Sequence, residues 1–185
     1  PPSRGPLALT RNRPLTSNVR PFMHWVQALI TSEELATEAH RLVPSLVVCS
    51  LPQGLALVPM TQEAEEALAE SEFARSEPTP PLAEEMAVGI AALAAKLSTR
   101  GLVVYAATFL HGGTGGQDAL VWEAGELILS LHDDEDNPSA WPNSPISRAL
   151  RRVGVKTQQG QDEFDAIGLG KHRSNESWAE AHTKA

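Results

Sequence analysis

Two strand-like runs flank a glycine-rich break, and this pattern constrains the fold more than any other feature of the chain. The first run covers residues 102–110, the second begins at Ala119, and residues 112–116 between them contain four glycines. Glycine adopts backbone angles that residues with side chains avoid. The break therefore predicts either a hairpin connection or a loop whose backbone lines a ligand site, and the sequence leaves both interpretations open.

Periodic patterns on both sides of the break predict an α+β fold. Strand-like runs cover residues 23–30, 46–49, 55–58, 102–110, 119–122 and 127–132. Helical patterns, with their capping signals, cover residues 31–42, 61–70, 82–98, 143–153 and 174–182. The longest helix is predicted from an apolar stripe formed by Leu82, Met86, Ile90, Leu93 and Leu97. We expect a mainly antiparallel sheet with helices packed on it.

The length of 185 residues fits one domain with its own core. Residues 1–22 contain four arginines, five prolines and no acidic residue. We expect them to be a disordered leader, or a segment foreign to the natural protein, and residues 23–185 to form a single domain. The lone Cys49 lies in an apolar run, which predicts a buried thiol. The absence of a long apolar run and of a secretory signal predicts a cytoplasmic protein.

The charge of the predicted domain is strongly acidic. From Met23 onward the chain has 11 basic and 23 acidic residues, which gives −12. A nucleic-acid-binding domain needs a basic face, so we exclude that class. The same charge suits a basic protein partner, because complementary fields speed association. The other explanation of the acidic net charge is that it keeps the protein soluble and has no binding role.

The glycine-rich break lacks the residues and the following helix that accompany the glycines in known glycine-rich ligand sites. No lysine follows the glycines and a strand pattern comes next, which excludes a P-loop and a dinucleotide fingerprint. The nucleophile motif Gly-x-Ser-x-Gly is absent from the chain, which argues against acyl transfer through this loop. The remaining alternatives are a strand connection and a contact loop with Thr114 and Gln117 as its polar groups.

An acidic run follows the last strand pattern and consists of Asp133, Asp134, Glu135 and Asp136. A calcium loop of the EF-hand type that started at Asp134 would need glycine sixth and glutamate twelfth, where this chain has Ser139 and Pro145. We therefore expect a solvated loop or a docking patch for a basic partner. The six histidines are scattered, so neither a metal site nor any cofactor is predicted.

The stretch at residues 162–173 mixes acidic and basic groups around a Gly-Leu-Gly turn. As chemistry, His172 and Asp165 would make an acid/base pair near the glycine-rich loop, with His111 as a further candidate. As structure, the same stretch would hold the tail on the domain through apolar anchors at Phe164, Ile167, Leu169 and Trp178.

Two motifs together carry a resemblance to a group of small bacterial cytoplasmic proteins without an assigned activity. The first is the Gly-Gly-x-Gly-x-Gln loop between an aromatic strand and a strand ending in Val121-Trp122. The second is Asp-Glu-Phe-Asp-Ala-x-Gly-Leu-Gly-x-His-Arg at residues 162–173. This chain has His111 where the group has an aromatic residue. The resemblance implies an immunity-type partner of a bacterial toxin or a phage-linked accessory protein.

Three functional hypotheses follow from these patterns. The first is a non-enzymatic acidic binding protein of the immunity type that inhibits a basic toxin, with contact residues Thr114, Gln117, Asp133, Asp134, Glu135 and Asp136. The second is a small hydrolase or transferase that uses His172, Asp165 or His111. The third is a structural module whose exposed strand edges pair with a second copy. The sequence leaves the oligomeric state open.

Overall fold

A computed structural model of the chain describes residues 23–75, 86–111, 114–133 and 138–183. The strands are β1 (Met23–Ser32), β2 (Cys49–Ser50), β3 (Leu55–Pro59), β4 (Val103–His111), β5 (Thr114–Glu123) and β6 (Glu126–His132). The helices are α1 (Glu33–Leu42), α2 (Gln62–Glu70), α3 (Ile90–Ser98), α4 (Pro145–Arg152), α5 (Glu163–Ala166) and α6 (Asn175–Thr183). The α+β prediction is confirmed.

All six strands form one sheet in the order β2-β3-β1-β4-β5-β6, and every neighbouring pair is antiparallel. Side chains alternate between the two faces along each strand. Leu29 and Tyr105 pack under α1, α2 and α3, whereas Ile30 and Val104 pack under α4, α5 and α6. The central strands are therefore buried on both faces, between two layers of helices.

Side-chain caps begin the first two helices. Thr61 caps α2 as predicted, whereas the cap of α1 is Ser32, one residue after the predicted start at Thr31, which belongs to β1. The Ser32 hydroxyl accepts from the Leu35 N–H at 3.3 Å, and the Thr61 hydroxyl accepts from the Ala64 N–H at 3.1 Å. Each cap satisfies a backbone donor that has no partner within the first turn of the helix. These two helices therefore take their starts from local sequence.

The start of α3 corrects the prediction of a helix over residues 82–98. Residues 82–85 lie outside the described part, and the helix begins only at Ile90. Gly89 has φ +90°, which a right-handed helix cannot contain. A side chain there would also contact the Leu68 carbonyl at 3.2 Å. The apolar stripe is confirmed only for the part that α3 contains: Ile90, Leu93 and Leu97.

The glycine-rich break is a hairpin, and β5 starts earlier than the predicted residue 119. Cross-strand pairs join Phe109 to Gly116 and Leu110 to Gly115. Gly112 and Gly113 lie outside the described residues. The strands thus run into the glycine-rich stretch, and the backbone of residues 114–116 is taken up by the β4–β5 ladder rather than left open for a ligand.

The C-terminal segment completes the edge of β1 that β3 leaves uncovered. β3 pairs with β1 only from Ala28 onward, while the Trp25 N–H donates to the Arg173 carbonyl at 2.9 Å. The Asn175 side chain then bridges β1 and the residue that follows β3: Oδ1 accepts from the Gln27 N–H at 2.9 Å and Nδ2 donates to the Met60 carbonyl at 2.5 Å. One side-chain amide therefore replaces a peptide unit of a neighbouring strand.

Apolar side chains hold this tail on the α4 face of the sheet. Ile167, Leu169 and Trp178 are buried, and Phe164 packs against them partly exposed. The structural interpretation of residues 162–178 is thereby confirmed for three of its four anchors, whereas Phe164 is only partly buried. In addition, buried Glu163 accepts from Trp141 Nε1 at 3.0 Å and pairs with Arg151 at 2.8 Å, which ties α5 to α4.

Candidate functional site

The structure does not bring His172 and Asp165 together. The His172 ring packs edge-on against Trp178, with ring centroids 4.7 Å apart. Asp165 is exposed on α5, where its N–H donates to the capping carboxylate of Asp162 at 2.8 Å. No hydrogen bond or ion pair joins the two side chains in the described part of the chain. The arrangement therefore lacks the geometry of an acid/base pair. His111 pairs with Thr114 through the backbone, and neither side chain is described.

Gln117, proposed as a contact residue, has a structural role at the start of α4. Its Oε1 accepts from the Ile146 N–H at 3.2 Å. Ser144, the residue before the helix, makes no side-chain cap. Gln117 therefore satisfies an N-terminal donor of α4 from a strand, a contact that sequence spacing cannot reveal.

The expectation of a solvated acidic loop is wrong for Asp133, which is 3% exposed. Its Oδ1 accepts from the Ser139 N–H at 3.1 Å, and its own N–H donates to the Gln117 carbonyl at 2.9 Å. A carboxylate that accepts hydrogen bonds can be buried at moderate cost. Asp133 thus extends the β5–β6 ladder. Asp134, Glu135 and Asp136 lie outside the described residues, and the role proposed for them stays a prediction.

A His–Asp pair that the sequence did not predict lies across β5 and β6. His132 and Asp118 face each other in the register, and Nδ1 of the histidine is hydrogen-bonded to Oδ1 of the aspartate. The histidine side chain is 76% exposed and the aspartate 9%. A buried carboxylate orients an exposed imidazole in this way, and the pair ties the two outer strands together.

His24 is a half-buried histidine beneath the tail. Its Nδ1 lies 2.6 Å from the Thr108 hydroxyl, whereas Nε2 is buried and reaches no hydrogen-bond partner in the described structure. Burial lowers the pKa of His24 below the ordinary 6.5, and the nearby charge of Arg173 acts in the same direction. The carbonyls of Leu169 and His172 oppose this shift without cancelling it.

Stability is expected to fall as the pH drops below the ordinary histidine value, because the unfolded chain then binds a proton that folded His24 does not. A folded-state pKa below 6.5 places this loss between 6.5 and the lower folded value. The measurement is the free energy of unfolding in urea from about pH 7 to about pH 5 for the wild type and His24→Gln. The variant should lose less stability over that range. Parallel curves for the two proteins would contradict the assignment.

A groove of about 950 Å³ lies between α1, α2 and α6. The loop before β2 contributes its apolar side chains, which are Pro44, Leu46, Val47 and Val48. The helices contribute most of the polar lining, which includes Thr37, His40, Gln62, Glu63, Glu176, Glu180, His182 and Thr183. Glu176 and Glu180 share one face of α6, since residues four apart in a helix are neighbours. That spacing is the only sequence signal for the groove.

The groove presents hydrogen-bond acceptors. Glu63, Glu176 and Glu180 line it, and none of the three forms an ion pair within the described residues. His40 Nδ1 lies 2.7 Å from the Leu46 carbonyl, and His182 Nδ1 lies 2.9 Å from the Trp178 carbonyl. A carbonyl only accepts, so both rings donate through Nδ1 and keep Nε2 as an acceptor when neutral. The groove therefore suits a donor-rich, cationic ligand.

The pKa of Glu65, which lies close to Glu176 in the lining of the groove, reflects the negative charge there. Burial raises the pKa of Glu65 above its ordinary 4.5, and the negative charge of Glu176 raises it further. A neighbouring carboxylate destabilises the ionised form of a carboxyl group, and a cation placed between the two groups stabilises it. The electrostatics of this end of the groove thus favour a positively charged ligand.

No protein-family model, curated protein or solved structure shows significant similarity to this chain. Three further properties of the described residues bear on function. They contain no cluster of three His, Cys, Asp or Glu side chains able to hold a metal ion, and no helix among them is long and apolar enough to cross a membrane. Burial raises the pKa of the Cys49 thiol to about 12, which leaves it a poor nucleophile. The groove is the strongest candidate site.

Proposed function

We propose that this protein is a non-enzymatic binding protein for a basic protein partner and that the groove between α1, α2 and α6 is the contact surface. The observation that carries the proposal is the lining of the groove, in which Glu63, Glu176 and Glu180 have no ion-pair partner among the described residues. A basic ligand would supply the ion-pair partners that these three carboxylates lack among the described residues.

The ligand that fits is a segment with both basic and apolar side chains. Arginine binds carboxylates through two parallel hydrogen bonds, and His40 and His182 offer further acceptors. The apolar side chains of residues 44–48 would contact the remainder of the segment. A volume of about 950 Å³ is at the upper end for a small-molecule site, which favours a peptide segment.

A net charge of −12 from Met23 onward supports the choice of an immunity-type inhibitor within this class. An inhibitor must reach its target before the target acts, and opposite net charges accelerate the encounter. Such a protein needs no catalytic residues of its own. The groove replaces the glycine-rich hairpin as the main contact surface of this proposal.

Charge reversal in the groove tests the proposal. We expect a short peptide of alternating arginine and leucine to bind the wild type, and Glu176→Lys with Glu180→Lys to weaken binding at least about tenfold, which is about 1.4 kcal/mol. Binding should also weaken with added salt. The measurement is isothermal titration calorimetry, with amide shifts in NMR to locate the peptide.

The matched control carries the same charge change on Glu70 and Glu123, which are exposed and lie outside the groove. It should retain most of the affinity. Equal weakening in both variants, or amide shifts that avoid the groove, would reject a specific site there. A tagged wild-type chain that recovers no stoichiometric basic protein from its source cell would count against a protein partner.

A further inference from the structure

We propose that residues 1–22, the leader of this chain, occupy the acidic groove between α1, α2 and α6 and compete there with an external basic ligand. The inference rests on the proposed function, because it takes the groove to be a surface for basic segments. It adds that one such segment belongs to the same chain. The leader is then an autoinhibitory element that an external ligand has to displace.

Charge decides which part of the chain fits the groove. Three of the residues that line the groove are glutamates. Residues 1–22 contain four arginines and no acidic residue. Of the other charged segments outside the described structure, residues 76–85 and 134–137 carry acidic charges only, and residues 184–185 contribute a single lysine. Complementary charge therefore selects the leader as the occupant.

The middle of the leader combines the two kinds of side chain that the groove suits. Every second position there is apolar or basic, namely Leu7, Leu9, Arg11, Arg13 and Leu15. Side chains two positions apart lie on the same side of an extended segment. In the groove the two arginines bind carboxylates, which match the guanidinium group with two parallel hydrogen bonds. The leucines contact the apolar side chains of the loop before β2.

The leader joins the domain close to the groove. It runs into β1, where the Trp25 N–H donates to the Arg173 carbonyl at 2.9 Å. Glu176, three residues further along the chain, lies in the first turn of α6 and lines the groove. When extended, residues 16–22 span up to about 23 Å, whereas the whole of α6 rises about 14 Å. Residues 7–15 can therefore reach the glutamates along α6.

The covalent link makes even weak binding by the leader sufficient. A short linker presents a binding segment at an effective concentration of about 1 mM. A leader with an intrinsic dissociation constant of about 0.1 mM would then fill the groove in about nine molecules out of ten. An external ligand binds only the remaining fraction, so its apparent affinity falls about tenfold. The groove thereby selects ligands that bind it more tightly than its own leader does.

A nitroxide in the leader of the whole 185-residue chain tests where the leader lies. Cys49 is buried, so the label attaches at Thr10→Cys, a position between the side chains that would contact the groove. We expect the label to broaden the amide resonances of Glu176 and Glu180 in NMR spectra. The amide of Glu123, which lies on β5 and outside the groove, should stay sharp.

Charge reversal within the leader tests the contact and its effect on binding. Arg11→Glu with Arg13→Glu should abolish the broadening and raise the affinity for the arginine–leucine peptide about tenfold by isothermal titration calorimetry. The matched control, Arg4→Glu with Arg20→Glu, makes the same change of charge outside residues 7–15. It should retain most of the broadening. Because both variants have the same net charge, the difference in their peptide affinities isolates the contact.

A mixture of spin-labelled chain with isotope-labelled chain that carries no nitroxide separates binding within one chain from binding between two copies. Broadening of the isotope-labelled amides in that mixture would overturn the proposal, and so would sharp amides at Glu176 and Glu180 in the spin-labelled chain itself. The proposed function fails by a different result, in which the peptide binds neither the wild type nor the variant with Arg11→Glu and Arg13→Glu. Equal affinity of the peptide for both proteins would keep the groove as a binding site and reject its occupation by the leader.

Discussion

Gly115→Ala is expected to destabilise the domain by about 3 kcal/mol or more. Gly115 has φ +139°, and a Cβ built there would lie 1.7 Å from the Phe109 carbonyl oxygen. The atoms that this Cβ would meet belong to the backbone of Phe109 and Leu110 and not to a flexible side chain. The β4–β5 hairpin itself must therefore move. The measurement is the free energy of unfolding in urea.

Gly154→Ala is the matched control, because Gly154 also has a positive φ, +88°, but nothing lies within 4 Å of the added Cβ. Only the backbone cost of about 1 kcal/mol should remain there. The difference between the two variants isolates the collision from the conformational preference of glycine. Equal losses in both variants would show that the hairpin does not hold Gly115 against Phe109.

Asn175→Ala is expected to cost about 2–5 kcal/mol, because it leaves two buried backbone groups without partners. The Gln27 N–H would lose its acceptor, and the Met60 carbonyl would lose its donor. Neither group can turn to solvent, since Asn175 is 8% exposed and Gln27 is 4% exposed. Urea unfolding monitored by tryptophan fluorescence measures the loss, because Trp178 belongs to the same helix.

Asn175→Asp separates the two bonds of the bridge. Aspartate keeps an acceptor for the Gln27 N–H but presents a carboxylate oxygen to the Met60 carbonyl, so it should also be destabilising at neutral pH. Asn143→Ala serves as the control, since Asn143 is exposed and its side chain makes no hydrogen bond among the described residues; its effect should stay within about 0.5 kcal/mol. A change of that size at Asn175 would show that the amide bridge contributes little.

The parts of the fold that local sequence predicts are those that local interactions determine. Helix α1 begins at a serine cap and ends where predicted, and α4 begins at Pro145, which fits the first turn of a helix. Helix α3 starts later than predicted because an apolar stripe is compatible with several starts. The left-handed backbone of Gly89 fixes the start at Ile90, and a Cβ at Gly89 would lie 3.2 Å from the Leu68 carbonyl oxygen.

The candidate site could not be predicted because its residues meet only in the folded chain. Glu63 lies at the start of α2 and Glu176 at the start of α6, more than a hundred residues apart in sequence. The sequence drew attention to compact motifs instead, such as the acidic run that begins at Asp133. In the structure Asp133 is buried and bonded to its own sheet. A run of charges predicts exposure only when no nearby backbone donor is available to a carboxylate.

The bridge made by Asn175 has a consequence for how the protein is made. Its bond to Gln27 joins residues 148 positions apart, so the part of the β1 edge that β3 leaves uncovered lacks this partner until Asn175 has left the ribosome. Contacts of such high sequence separation slow folding, because a long loop must close before they form. Nascent chains that stop short of residue 175 would carry an uncovered edge on β1. Chaperones and proteases should therefore distinguish unfinished copies from finished ones at this strand.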